Sequence, residues 1–412
     1  MSLSIENLLD IPGVQVLKSE ITEQEISIHL KIESNFTRCH KCGQKATEFH
    51  CDGETLRLRH LPIFERPVYL YLHTKRYRCL NCDDRPTTTQ HGVWYDLDAH
   101  CTTAYAKYLL RELVGGTLAD VARKHQVKYG VLRGLLLRHV SAQVDWSTFT
   151  TLITLGLDEI SLLKGHRDFV TIVSTRDEAG HPVILAVLDG REKETVKAFL
   201  QSIPQRLRVT VGQVCTDMYD GFVNAVKEVL PVARVVADRF HVAKAYRAAL
   251  DELRKIEMHE LKAALKPEEY AGLKGVMWAL RRNPEDLTDE EMQLLELLFE
   301  CSPSLRLAYK LREKLTAIFE TGYTKKSARR ALRRWIAAVK QSGLTCFDKF
   351  LGTLENWMDE ITNYFVNRLT SGWVEGFNNK IKVLKRRCYG MTNPASLFRR
   401  IWLDLNGINA FA

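Results

Sequence analysis

Apolar positions change their spacing several times along this chain, and each change marks a different kind of structure. Over residues 1–100 apolar and polar residues alternate in short runs, as in VYLYLHTKRYRC, the period of strands with one buried face. Residues 101–145 turn to helical spacing in TTAYAKYLLRELV, TLADVARKH and GVLRGLLLRHV. From Thr151 the pattern returns to strands: LITLGLDEI, DFVTIVST and PVILAVLDG, joined by turns that include RDEAGH. An amphipathic helix (KETVKAFLQSIP), a strand (VTVGQVCTD), a helix (GFVNAVKEVLP) and a strand (ARVVADRF) follow. From Val242 to about Phe365 the spacing is almost wholly helical, with breaks expected at Asn283-Pro284, Ser302-Pro303 and Gly343. A last basic helix is expected over SGWVEGFNNKIKVLKRR, and there are no internal repeats.

Three strands followed by helix–strand–helix–strand predict a mixed α/β sheet, the order of a ribonuclease H-like fold. The expected division is a zinc-binding β module (1–100), a helix-turn-helix segment (101–148), a ribonuclease H-like catalytic domain (149–245 and 366–412) and an all-helical insertion (246–365).

Composition narrows the class. The 412 residues are 45% hydrophobic and 26% charged, which marks a soluble globular chain, and no stretch reaches the ~20 apolar residues needed to span a bilayer. The segment MSLSIENLLDIPGVQVLKSE lacks a signal-peptide pattern, so the ten cysteines are expected as free thiols or metal ligands in the cytoplasm. Net charge is +9, and its excess sits in three places: residues 101–150 (7 basic against 3 acidic), 321–341 (7 against none) and 371–412 (7 against 2). Separate basic patches around a near-neutral middle fit a polyanion passing several surfaces; for any one patch alone a solvated helix face is an equal reading.

Cys39-x-x-Cys42 and Cys79-x-x-Cys82 each place two thiolates on one tight turn, and together they complete a tetrahedral, structural zinc site. Thirty-six residues separate the pairs, so intervening strands must bring them together. His40, His50 and Cys51 are alternative ligands. In LADVARKHQVKYGVLRGLLLRH, Leu118, Val121, Ala122, Val127 and Leu132 are spaced as in a helix-turn-helix, with Lys128, Tyr129, Arg133 and Arg138 able to face DNA. Gln126 stands where glycine is common, and a plain helical hairpin remains the other reading.

Three acids stand out by context. Asp158 ends LITLGLDE, Asp217 ends VTVGQVCTD, and Glu375 sits on the last basic helix. With the first and fourth strands adjacent, Asp158 and Asp217 lie side by side and Glu375 completes a triangle of hard oxygen ligands. Such a triangle suits two Mg²⁺ ions and phosphodiester chemistry. A single strand-end Asp is more often a turn or cap residue.

The motifs LGLDEIS, VCTDMYDGF, VVADRFHVAKAY and VEGFNNKIKVLKRRCYGMTN, with the cysteine module and its LRLRHLP and KRYRC, resemble bacterial insertion-sequence transposases with Asp-Asp-Glu catalysis, of the L-three insertion-sequence family. The resemblance runs over nearly the whole chain. It implies that Asp158, Asp217 and Glu375 hold Mg²⁺ (or Mn²⁺). It also implies that the partners are double-stranded transposon ends and target DNA, bound by a homodimer on paired ends in the nucleoid, with no membrane. Arg239 and His241 contact the scissile phosphate or DNA end, or else Asp238 caps a helix and His241 packs in the core. Asn378, Asn379, Lys380, Lys382, Lys385, Arg386 and Arg387 grip the DNA backbone. Arg329 and Arg333, in a run of seven positive charges, form a further DNA-binding face. Trp335 there either stacks on an unpaired base or is core. The competing readings are a ribonuclease H-like nuclease or resolvase, and a catalytically silent DNA-binding regulator.

Overall fold

The alternation of the first hundred residues folds into a seven-stranded mixed sheet in the computed structural model, which describes residues 5–163, 167–368 and 372–412. Its long strands are β1 (Val14–Ile21), β2 (Ile26–Ile32), β3 (Glu48–Ile63) and β4 (Arg66–Arg78), in the order β1-β2-β4-β3. β3 and β4 form an antiparallel hairpin that turns at Phe64 and Glu65, both left-handed (φ 48° and 64°) as a two-residue hairpin turn requires. Ile28, Leu30, Leu58, Leu70 and Leu72 fill one face of this sheet. Burying each such side chain stabilises by about 1.5–3 kcal/mol relative to exposure.

Three helices follow: α1 (Thr103–Glu112), α2 (Leu118–His125) and α3 (Tyr129–His139). Thr102 and Thr117 cap the first two through their hydroxyls, which accept from the amides of Tyr105 and Asp120. Gln126 ends α2 in the left-handed region (φ 52°), so it adopts the conformation a glycine would have supplied.

The chain falls into two compact units. One runs to Ala142 and also takes in Arg399–Ala412; the other is Gln143–Phe398. From sequence, residues 366–412 were expected together in the catalytic segment. The end of the last helix instead shares a core with α1 and α3: Leu403 and Phe411 are buried with Leu109, Leu132 and Leu135. Arg400, only 1% exposed, donates to the carbonyls of Leu113 and Gly116 at 3.1 and 2.7 Å.

The second unit is built on a five-stranded sheet. Its strands are β5 (Thr154–Leu163), β6 (Arg167–Arg176), β7 (Pro182–Asp189), β8 (Gln213–Thr216) and β9 (Arg234–Ala237), in the order β7-β6-β5-β8-β9. β7, β6 and β5 are antiparallel; β5, β8 and β9 run parallel. Leu155, Leu157, Val214 and Val235 face helices α4 (Lys193–Ser202) and α5 (Asp220–Val229). The opposite face, with Cys215 and Val236, packs on a helical region. That region includes α6 (Arg239–Ala264), α7 (Pro303–Glu320), α8 (Lys325–Ser342), α9 (Met358–Asn367) and α10 (Gly372–Arg387). The breaks at Asn283-Pro284, Ser302-Pro303 and Gly343 are all present, the last as a left-handed helix cap. Among the described residues no helix is long and apolar enough to cross a membrane. Ser371, which opens the last motif, lies outside the described residues.

Candidate active site and metal centre

Parallel pairing of β5 with β8 sets Leu157 against Thr216, and pairing of β8 with β9 sets Thr216 against Ala237. The next residues along are Asp158, Asp217 and Asp238, so three neighbouring parallel strands carry aspartates at one level. Side chains alternate along strands, and Leu155 and Leu157 face α4 and α5. Asp158 and Asp217 therefore point to the other face, the one covered by α10.

Gly156, two residues before Asp158 on the same face, lets α10 come close. A Cβ there would lie 2.8 Å from Val374, 2.9 Å from the Ser174 hydroxyl and 3.0 Å from Trp373. The helix itself buries Val374, Phe377, Ile381 and Leu384. Glu375, Asn378, Lys382 and Lys385 follow one another at spacings of three and four residues, a polar stripe on one side. Asn378 is 1% exposed, and its Nδ2 donates to Asp158 Oδ2; the amide of Glu159 donates to Asp158 Oδ1 at 2.7 Å. Lys385 donates to the Ser161 carbonyl. Asn378 Oδ1 is buried without a hydrogen-bond partner among the described residues.

Burial pushes the Asp158 carboxyl above the usual carboxylate range, against the Glu159 amide and the charges of His241 and Lys382. Asp217 is pushed up to about 6, first by burial and then by the neighbouring Asp158 charge. Two desolvated carboxylates side by side are destabilised as a pair of anions, and a cation relieves that. Glu375 lies one turn before Asn378. With Asp238, Arg239 and Arg312 it lines a cavity of about 310 Å³. Among the described residues no three acidic or imidazole groups come within 4.8 Å of one another, so Glu375 is not drawn into one tight cluster with Asp158 and Asp217. The oxygen donors of Asp158 and Asp217 suit a hard divalent cation.

Asp238 accepts from the Phe240 amide at 2.8 Å and caps α6. His241 is half-buried, and its charge reaches both Asp158 and Asp217. Arg239 is 3.3 Å from Glu320.

The other residues expected at DNA divide by surroundings. Lys128, Arg133, Arg333, Asn379, Lys380, Lys382 and Arg386 are exposed, and Arg387 is half-buried. Arg138 is held by Asp96 at 2.9 Å and Arg329 by Asp359 at 2.5 Å. Asn378 differs most from expectation, since its side chain is turned inward to Asp158 and not out to a backbone. Trp335 is core: it is buried and donates to the Leu311 carbonyl at 2.8 Å. Sequence reasoning missed Asn378 as the partner of Asp158. Its place three residues after Glu375, on the same helical face, was the available signal.

The cysteine module closes as a second centre. Cys39, Cys42, Cys79 and Cys82 have their sulfurs within 4.8 Å of one another, with Cys39–Cys82 at 3.9 Å and Cys42–Cys79 at 3.6 Å. A tetrahedron with Zn–S bonds of about 2.3 Å has sulfurs about 3.8 Å apart, so the four thiols fit zinc. The β3–β4 hairpin carries the second pair back to the first, pairing Glu48 with Arg78. Gly43, left-handed at φ 72°, turns the first knuckle, and its amide donates to the Cys39 carbonyl at 2.9 Å. His40 Nδ1 instead meets the Thr88 hydroxyl at 2.9 Å.

Comparison with known proteins finds a match for each of the two regions. Residues 155–401 match the transposase domain of the ISL3 family, and residues 36–82 match the zinc-finger of transposase IS204/IS1001/IS1096/IS1165. The chain is 28% identical over 378 residues to the transposase for insertion sequence element IS1001 of Bordetella parapertussis, covering 91% of this chain and 90% of that protein. It is 26% identical over 392 residues to the transposase for insertion sequence element IS1557 of Mycobacterium tuberculosis, covering 90% and 86%. The family match spans more than half of the chain and contains Asp158, Asp217 and Glu375, and this protein therefore belongs to the ISL3 family of transposases.

Proposed function

We propose that this transposase binds the terminal inverted repeats of an insertion sequence, cuts DNA at the element ends, and joins the freed 3′-hydroxyl to target DNA. Asp158, Asp217 and Glu375 serve as the catalytic carboxylates. The observation that carries this reading is the side-by-side placement of Asp158 and Asp217 under α10, with Asn378 bonded to Asp158. Bound Mg²⁺ or Mn²⁺ would activate the attacking oxygen and stabilise the leaving one. The chain's own contribution is positioning. Asn378 and the Glu159 amide fix both oxygens of Asp158, Asp217 stands beside it, and Glu375 faces the adjoining cavity. Asp238 anchors α6, which brings Arg239 and His241 to the same edge.

The strand order β7-β6-β5-β8-β9 supports a ribonuclease H-like catalytic domain (149–245 and 366–398) interrupted by a helical insertion (246–365). The capped α2–α3 pair, with Lys128 and Arg133 exposed, supports a helix-turn-helix in 101–148, beside a zinc module in 1–100. Asn379, Lys380, Lys382 and Arg386 are the proposed backbone contacts beside the site, and paired ends call for a homodimer acting at the nucleoid. Incubating purified protein with an element end, Mg²⁺ and a target plasmid tests the reading. Joined product supports it. Cleavage without joining indicates a nuclease, and binding without cleavage indicates a silent regulator.

A further inference from the structure

The N-terminal sheet has a second face that the zinc centre does not use and that the core meets only at its Arg59 edge, where the guanidinium lies 5.6 Å from the buried Tyr105 ring. Register places nine side chains on it as a three-by-three grid: Arg59, Tyr69 and Ser27 in one row, Arg57, Tyr71 and His29 in the next, Thr55, His73 and Lys31 in the third. Their neighbours Ile28, Leu30, Leu58, Leu70 and Leu72 point the other way into the core. No member of the grid is acidic.

The rings and cations of this grid are locked together. Arg57 Cζ lies 3.6 Å from the centre of the Tyr69 ring, and its Nε donates to the Tyr71 hydroxyl at 3.1 Å. Arg59 donates to the Tyr69 hydroxyl at 2.7 Å. His29 stacks on Tyr71 at 4.9 Å and 12°, and its Nδ1 is 3.0 Å from His73 Nε2. Glu25 borders the grid and reaches Arg57 at 3.4 Å, with both side chains partly open to solvent. Ring faces are therefore occupied by one another and by guanidinium. What remains outward within the grid is N–H donors and positive charge, bordered by Glu25 and by Glu20, which stands opposite Ser27 and pairs with Lys18 at 2.9 Å.

We propose that this face docks the sugar–phosphate backbone of duplex DNA, with Arg57 and Arg59 each taking one phosphate. The planar fork of Arg matches phosphate oxygens, and stacking on tyrosine fixes the fork in advance. Residues two apart on a strand stand about 6.8 Å from each other, so the two forks address successive points along a backbone rather than one anion. A base-stacking platform is the weaker fit, because the aromatic faces are already covered. The inference rests on the DNA-binding reading above, and assigns it a surface apart from α2–α3 and α10.

Binding of the full chain to a labelled element-end duplex and to an unrelated duplex of equal length, measured by anisotropy between 50 and 200 mM salt, tests it. Arg57→Gln with Arg59→Gln should weaken binding to both duplexes by a similar factor and lower the slope of log affinity against log salt by about 1.8. Tyr69→Phe, which keeps both charges, should weaken binding a few-fold with no change of slope. If the double variant loses zinc or helicity, Arg57→Gln alone replaces it, with a slope change of about 0.9. An unchanged slope in a folded variant, while the parent chain binds, overturns this face and leaves the DNA reading standing. Loss confined to the element end overturns the phosphate assignment, since backbone contacts carry no sequence. A parent chain with no salt-dependent binding to either duplex overturns the DNA reading and this face with it.

Discussion

The carboxamide of Asn378 donates to Asp158 across 220 positions of sequence, tying the last basic helix to the first strand of the five-stranded sheet. Asn378 should therefore behave as a positioning residue for the carboxylate and not as a DNA contact. Asn378→Ala is expected to raise the Mg²⁺ concentration needed for half-maximal cleavage by about 10–100-fold, the usual size of an outer-shell loss. End-DNA binding should stay within a few-fold. Metal titration beside gel-shift measurement checks this; lost DNA binding with an unchanged metal requirement would return Asn378 to the DNA interface.

Single replacement of Asp158, Asp217 or Glu375 by Ala should abolish cleavage while leaving end binding within a few-fold. The acids near Glu375 in sequence are engaged elsewhere: Glu360 is buried against Lys227 at 2.7 Å, and Asp359 pairs with Lys325 at 2.8 Å and with Arg329. Retained cleavage in Glu375→Ala would direct attention to Asp238, at the end of the third parallel strand.

Asp217 also makes a stability prediction with a definite sign. Its carboxyl sits at about 6 in the folded chain, above the ordinary value of 3.8, so ionising it at pH 7 opposes folding. In Mg²⁺-free buffer at pH 7, Asp217→Asn should raise the melting temperature of the unit Gln143–Phe398 by at least roughly 2 °C. The gain should shrink as pH falls through 6 and vanish below 4, where both states of the parent chain are protonated. Calorimetry at three pH values reads it, and a destabilised variant at pH 7 would show that the Asp217 charge is compensated.

Metal analysis should return about one zinc per chain. Cys39→Ser or Cys79→Ser should release it and unfold the zinc ribbon, with the melting of Gln143–Phe398 unchanged. A ribbon that keeps its far-ultraviolet signal without metal would count against a structural zinc.

The seven-cation run on α8 needs a different substitution from the one its sequence suggests. Arg329 and Lys325 are drawn to Asp359, and Lys340 to Glu355 at 2.8 Å. Lys326, Arg330, Arg333 and Arg334 are exposed, with no ion pair within 4.0 Å among the described residues. Arg330→Glu with Arg334→Glu should lower end-DNA affinity and flatten its salt dependence without lowering the melting temperature. Unchanged salt dependence would assign this helix to solvent or a partner subunit.

Local patterns foretold most of this architecture because strand and helix periods are local properties. The order of elements and the helix breaks follow from residues a few positions apart, and the four-cysteine cluster from two short motifs whose ligand chemistry favours one metal. What escaped depended on packing between distant segments. Nothing near Arg400 announces that its guanidinium will be buried on the Leu113 and Gly116 carbonyls. Asn378 looked like one more polar residue on a basic helix, and only the approach permitted by Gly156 turns it inward. Arg329 looked free because Asp359 is thirty residues away.

Gly156 has a consequence for reading genomes. A single methyl group there would meet Val374, Trp373 and the Ser174 hydroxyl at 3.0 Å or less, at a cost of about 1–3 kcal/mol. It would lift the helix that carries Glu375 and Asn378 from the strand that carries Asp158. A copy of the element with alanine at 156 would retain every acid and cysteine and is expected to cleave more slowly. On that expectation, counting intact carboxylates among related copies would overstate how many can move, and the residue to inspect first is the one with no side chain.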